Sequence, residues 1–169
     1  MTAWLALYLI NDSIFSAKWA AGIDWIFLPA AARLISVLVF GPLAAIGLFL
    51  GSLISMLAIE NSSIGKAVGI AITSALAPLV AVELMLLRMR IERNLTGVRT
   101  SELMLLAFGC AALSVSLHNL YYWATSHRAD PLSGLLPMFI GDIVGTLLVF
   151  YSVRSLSRAH ARFSAVRQR

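Results

Sequence analysis

The sequence predicts an all-α, polytopic membrane bundle of about six transmembrane helices with both termini cytoplasmic, and three observations predict it. First, 60% of the 169 residues are hydrophobic and 12% charged, with a mean hydropathy of +0.87. Soluble domains average about 45–50% and 25%, so this chain lacks the polar surface needed to cover a core in water. Second, the apolar runs are continuous, with Gly, Ala and Ser scattered through them. Lipid offers the backbone no hydrogen-bond partners, so only helices or closed barrels span it, and barrel strands alternate polar and apolar residues. Third, the basic residues gather beside hydrophobic segments, as inner-leaflet anchors do.

Six segments approach the roughly 17–25 residues of a membrane crossing. The first covers 2–21. It lacks a basic start before Trp4-Leu5-Ala6-Leu7 and is broken by Asn11-Asp12, so it is expected to be a retained helix, not a signal peptide. The second and third, 26–40 and 43–59, are short and divided by Gly41-Pro42. Proline withdraws a helix donor and clashes with the preceding turn, so a tight helical hairpin is expected in preference to one kinked helix. The fourth, 66–87, contains Pro78, where it is expected to bend. The fifth and sixth cover 102–125 and 134–153. Turn chemistry separates them: Gly22-Ile23-Asp24, Gly41-Pro42, Glu60-Asn61-Ser62-Ser63, the stretch 88–101, and 126–133 with Asp130-Pro131. The expected organisation is one membrane domain over 1–153 and a basic juxtamembrane tail over 154–169.

Orientation follows from charge. Arg88, Arg90, Arg93 and Arg99 occupy one connection, and Arg154, Arg158, Arg162, Arg167 and Arg169 the tail. Lys66 and Arg128 alone fall in connections on the other side. The positive-inside rule then places both ends in the cytoplasm, and Trp25, Tyr121, Tyr122 and Trp123 fall near the outer interface. The tail's arginines at 154, 158 and 162 recur at helical spacing, as for a helix lying on anionic lipid.

The polar residues inside these segments carry the candidate chemistry, because an intramembrane ionisable group is expensive and has a functional reading by default. Arg33, Asp142, His118 and Asn119 all fall about 10–12 Å below the outer boundary at 1.5 Å per residue, with Asn11 and Asp12 somewhat deeper. One outer-half polar cluster is expected: an Arg33–Asp142 or Arg33–Asp12 pair, supported by Asn11, His118 and Asn119. It reads equally as a pocket for a small ligand or proton and as a structural ion pair. Gly47-x-x-x-Gly51 and Gly141-x-x-x-Gly145 are expected to be close-packing positions, within the chain or between copies.

No catalytic residue, metal site or cofactor is expected. Cys110 and His118 stand eight residues apart on one helix, too far for a nucleophile–base pair. The chain has no HExxH, phosphate loop or GxSxG motif. The single cysteine excludes an internal disulfide and reads as a small buried side chain. The net charge of +5 lies beside membrane segments, which argues against nucleic acid.

Trp25 and Pro29 opening an early helix, the segment Gly47-Leu48-Phe49-Leu50-Gly51 and the closing Gly141-Asp142-Ile143-Val144-Gly145-Thr146-Leu147 together resemble the membrane-associated sensor 1 family of bacterial integral membrane domains over residues 25–150. The resemblance implies a membrane domain that senses a ligand or stimulus, usually ahead of a histidine kinase or cyclic-dinucleotide output domain. This chain departs from the pattern in having about six helices where larger members have about eight. It also ends in a basic tail without an output domain, and has Ala32 followed by Arg33 where a glycine is common.

The expected function is therefore that of a multi-pass bacterial inner-membrane protein, not an enzyme. It would bind a small ligand, or sense a membrane stimulus, through Asp12, Arg33, His118, Asn119 and Asp142. Its expected partners are the lipid bilayer, a cytoplasmic signalling protein and further copies of itself. The alternatives are the substrate-binding subunit of a vitamin-type transporter, with transporter subunits as partners, and a structural or assembly role.

Overall fold

The computed structural model describes residues 1–14, 18–20, 23–89, 100–125 and 132–167. Six helices make up nearly all of it: α1 (Thr2–Ile14), α2 (Pro29–Phe40), α3 (Ala44–Ile54), α4 (Ile64–Met89), α5 (Thr100–Ala124) and α6 (Leu135–Arg167). A two-stranded antiparallel ribbon, β1 (Lys18–Ala20) with β2 (Ile23–Asp24), joins α1 to α2. Among the described residues, four helical stretches are long and apolar enough to cross a membrane: Pro29–Ile59, Ile64–Arg88, Ser101–Ala124 and Leu135–Leu156. Large apolar side chains point outward all round, with Leu43 74% and Leu87 76% exposed. Water would not tolerate so much apolar surface on a single chain, and the chain is a membrane protein.

The first of these four stretches is a hairpin. Tyr8 stacks edge-on against Phe27 at 6.2 Å and donates to Glu60 Oε1 at 3.0 Å, so the two ends of a 31-residue stretch meet at one side chain. A straight helix of that length would separate them by about 45 Å. The reversal lies at Gly41, whose φ of 59° and ψ of −139° belong to a region open essentially to glycine. Its N–H caps α2 on Val37 O, and Pro42 is the middle residue of the 3₁₀ turn that follows, Gly41–Leu43. The expected tight hairpin is what forms.

The expected first crossing, 2–21, is not. Helix α1 stops at Ile14 and Lys18–Ala20 is a strand, so no single helix covers 2–21. Asn11 is the physical reason visible in the structure: its side chain donates to Asp24 Oδ2 at 3.0 Å and accepts from Leu28 N at 2.9 Å. It ties the chain that follows back over the end of its own helix.

The packing order follows from contacts. Helices α1 and α3 run parallel, with Met1 beside Gly47 and Trp4 against Gly51. Helices α4 and α5 are antiparallel, with Gly69 under Tyr121 and Gly109 under Met85. Helix α6 returns beside α2, where Phe27 N donates to Gly141 O at 3.0 Å. Met1, the Gly41 turn and Arg154 accordingly share one end of the bundle. Helix α6 is unbroken for 33 residues, so its backbone carries the expected helical tail. The expected loop arginines Arg90, Arg93 and Arg99 and the Asp130-Pro131 turn lie outside the described residues.

Candidate functional site

Arg33 comes from the middle of α2, on the face that the hairpin turns inward, and is 2% exposed. Its Nη1 donates to Asp142 Oδ2 of α6 at 3.2 Å and to Ser114 Oγ of α5. Its guanidinium carbon lies 5.3 Å from the Trp4 ring and 4.9 Å from the Phe27 ring. One cation thus collects a carboxylate, a hydroxyl and two aromatic faces from α6, α5, α1 and the segment before α2. Aromatic faces attract a guanidinium by about 0.5–2 kcal/mol each, which helps to offset its removal from water.

Glycine decides how the acid arrives. A Cβ at Gly141 would strike the Asp24 carbonyl, and one at Gly145 the Phe27 carbonyl. The GxxxG face of α6 therefore seats the irregular segment 24–28 of the same chain. That close approach brings Asp142 to Arg33. Gly51 similarly seats the Trp4 ring, whose indole N–H donates to Ser55 Oγ at 3.2 Å. Ser55 opens a π-helical turn, Ser55–Ile59, a feature common at functional sites.

His118 extends the network. Its Nδ1 lies 2.8 Å from Ser114 O, and a carbonyl only accepts, so Nδ1 carries a proton. In the neutral ring Nε2 then accepts from Ser74 Oγ, 3.2 Å away. Pro78 follows Ser74 by one turn and cannot donate to its carbonyl, although α4 runs unbroken from Ile64 to Met89.

Of the residues expected to cluster, the structure joins Arg33, Asp142 and His118 through Ser114. Asn119 goes elsewhere: its amide donates to Val115 O at 2.9 Å and touches Met138 Sδ at 4.0 Å. Asp12 is half-buried on α1, and Arg33 pairs with Asp142 in its place. Asn11 serves the ribbon junction. Tyr122, expected at the outer interface, is 2% exposed and lines the interior. Trp4, Asp24, Phe27, Ser74 and Ser114 were not among the expected site residues. Asp24 reads as a turn residue in sequence, and the serines as ordinary small residues of a membrane helix; nothing in their spacing marks them.

A cavity of about 30 Å³ adjoins the pair on the side of Asp24, Tyr8, Ser74 and His118. A second, of about 10 Å³, lies between the pair and Cys110, Thr146, Ala107 and Ala111. One water occupies about 10–15 Å³ on this measure, so the spaces match about two waters and one. Arg33 Nε and Asp142 Oδ1 are buried without a protein partner. Among the described residues no group of three or more His, Cys, Asp or Glu side chains could hold a metal. Chemically, the site can bind water-sized polar species and exchange hydrogen bonds with them.

No family model, curated protein or solved structure matches the chain.

Proposed function

We propose that the chain is a sensory module of the bacterial inner membrane, in which the Arg33–Asp142 junction responds to a membrane stimulus or a very small ligand and α6 carries the response to the basic end. The observation behind this reading is that Asp142 stands on the same unbroken helix as Arg154 and Arg158. About 38 Å of helix separates Asp142 from Arg167 at 1.5 Å per residue, and loss of the ion pair removes one tie between α6 and the α2–α3 hairpin. The excess of arginine at the end shared by Met1 and Arg154 supports a cytoplasmic location for that end. A signalling protein there, recognising the basic helix, completes the path.

The size of the chamber argues for this reading over transport of a vitamin-like solute, since drug-sized ligands occupy pockets of about 300–1,000 Å³. The closed geometry of the pair favours one second reading, a purely structural ion pair. Spin labels at Ser155 and Leu43 in lipid nanodiscs separate the two. For a sensor, Asp142→Asn changes the distance distribution between α6 and the hairpin turn while the bundle stays folded. An unchanged distribution in a folded variant, with no compound or lipid altering wild type, overturns the sensory role and leaves the structural one.

A further inference from the structure

The two cavities share two wall residues of opposite charge, Arg33 and Asp142. The outer chamber has polar walls that include Tyr8, Asp24, Ser74 and His118. The inner chamber is otherwise walled by Ala30, Leu34, Ala107 and Ala111, with Thr146 and Cys110. Thr146 already donates to Asp142 O at 2.7 Å. Arg33 and Asp142 are therefore the wall through which the two chambers face each other. The pair itself holds one unsatisfied donor, Arg33 Nε, and one unsatisfied acceptor, Asp142 Oδ1, both buried. Buried polar groups rarely go without a partner, and internal water is the usual one.

We infer that the Arg33–Asp142 pair is a breakable partition between two water-binding chambers, and that parting it admits water from the outer chamber to the Cys110 thiol. Water is the ligand class that fits: it accepts from a guanidinium N–H, donates to a carboxylate oxygen and matches both volumes. Closed, the partition separates the inner chamber from the outer one. Open, Arg33 swings with α2, and a continuous column of water links Asp24 to Thr146. The inference concerns the same cluster as the sensory reading but does not require it, because its readout is water access at one thiol and not movement of α6.

Cys110 is the one cysteine in the chain and is buried, so its S–H stretch is a single infrared band. The experiment transfers the protein in nanodiscs into heavy water and follows conversion of S–H to S–D. In wild type the exchange is slow. Asp142→Asn, which keeps the shape and removes the counter-charge, is expected to speed it at least tenfold. Ser114→Ala, which withdraws the second acceptor of Arg33 and leaves the ion pair charged, is expected to speed it by a smaller factor and serves if the first variant misfolds. A reporter thiol from Leu106→Cys in a Cys110→Ser background, buried but on neither cavity wall, reads general unfolding and is expected not to respond to either substitution. An unchanged rate at Cys110 in both variants overturns the inference. So does equal acceleration at both reporter positions, or exchange in wild type as fast as in the variants.

Discussion

Replacing Asp142 by asparagine tests the junction most directly. Both side chains of the pair are 3% exposed, so the substitution strands a guanidinium that stays charged. Removing one member of a buried pair costs about 3–5 kcal/mol in soluble proteins. Part of that is retained, because the asparagine oxygen can still accept from Arg33 Nη1, and a hydrogen bond to a charged group contributes about 1.5–3 kcal/mol. The Trp4 and Phe27 rings, at 5.3 and 4.9 Å, remain in both states and cancel. The difference leaves a loss of about 1–3 kcal/mol. At about 2–4 °C per kcal/mol for a chain of this size, the melting temperature falls by about 2–12 °C. Thermal unfolding in detergent, followed by far-ultraviolet circular dichroism, measures it. The same reasoning requires the double variant Arg33→Met, Asp142→Leu to recover most of the loss, since apolar residues of similar volume replace a buried pair with little penalty. An Asp142→Asn protein melting within about 1 °C of wild type refutes the argument, as does a double variant no more stable than the single one.

The remaining predictions concern packing and turns. Gly145→Ala, whose methyl meets the Phe27 backbone, is expected to cost about 1–3 kcal/mol through overpacking. Gly47→Ala, facing only the terminal Met1 nitrogen at 3.2 Å, is expected to cost clearly less, and the order of their melting temperatures checks this. Gly41→Ala forces a side chain into φ 59°, ψ −139° at about 1–3 kcal/mol; a wild-type melting temperature there would contradict the hairpin geometry. Asn11→Ala leaves the Leu28 N–H without its acceptor, a loss of about 1–3 kcal/mol, and hydrogen exchange at that amide should rise with it. Trp4→Phe keeps much of the ring but drops the bond to Ser55. Its expected loss is about 1 kcal/mol, against about 3–5 kcal/mol for Trp4→Ala, read from the same melts.

Much of the architecture was legible because lipid imposes simple rules. Continuous apolar runs exposed α4, α5 and α6, and Gly41-Pro42 located the reversal between α2 and α3. The start of the chain was misread for an equally simple reason. Hydropathy over 2–21 counts apolar residues, whereas α1 ends at Ile14 because one amide, Asn11, bonds forward to Asp24 and Leu28. The Arg33–Asp142 pair could be named from depth along the helices, since equal depth is a condition for meeting. Depth could not choose between Asp142 and Asp12, because it carries no information about which helix faces which.

The sequence by itself determined that this chain is a membrane helical bundle with buried charges at matching levels, since hydropathy, proline and glycine act locally and burying charge in lipid demands a partner. Only the tertiary structure decided which partner. The GxxxG face of α6 accepts the 24–28 backbone, which fixes the rotation of α6 and aims Asp142 at Arg33. The same docking draws Trp4, Phe27, Ser114 and His118 around them. The Arg33–Asp142 bond alone joins residues 109 positions apart, and azimuth around a helix axis is set by its neighbours, not by its own residues.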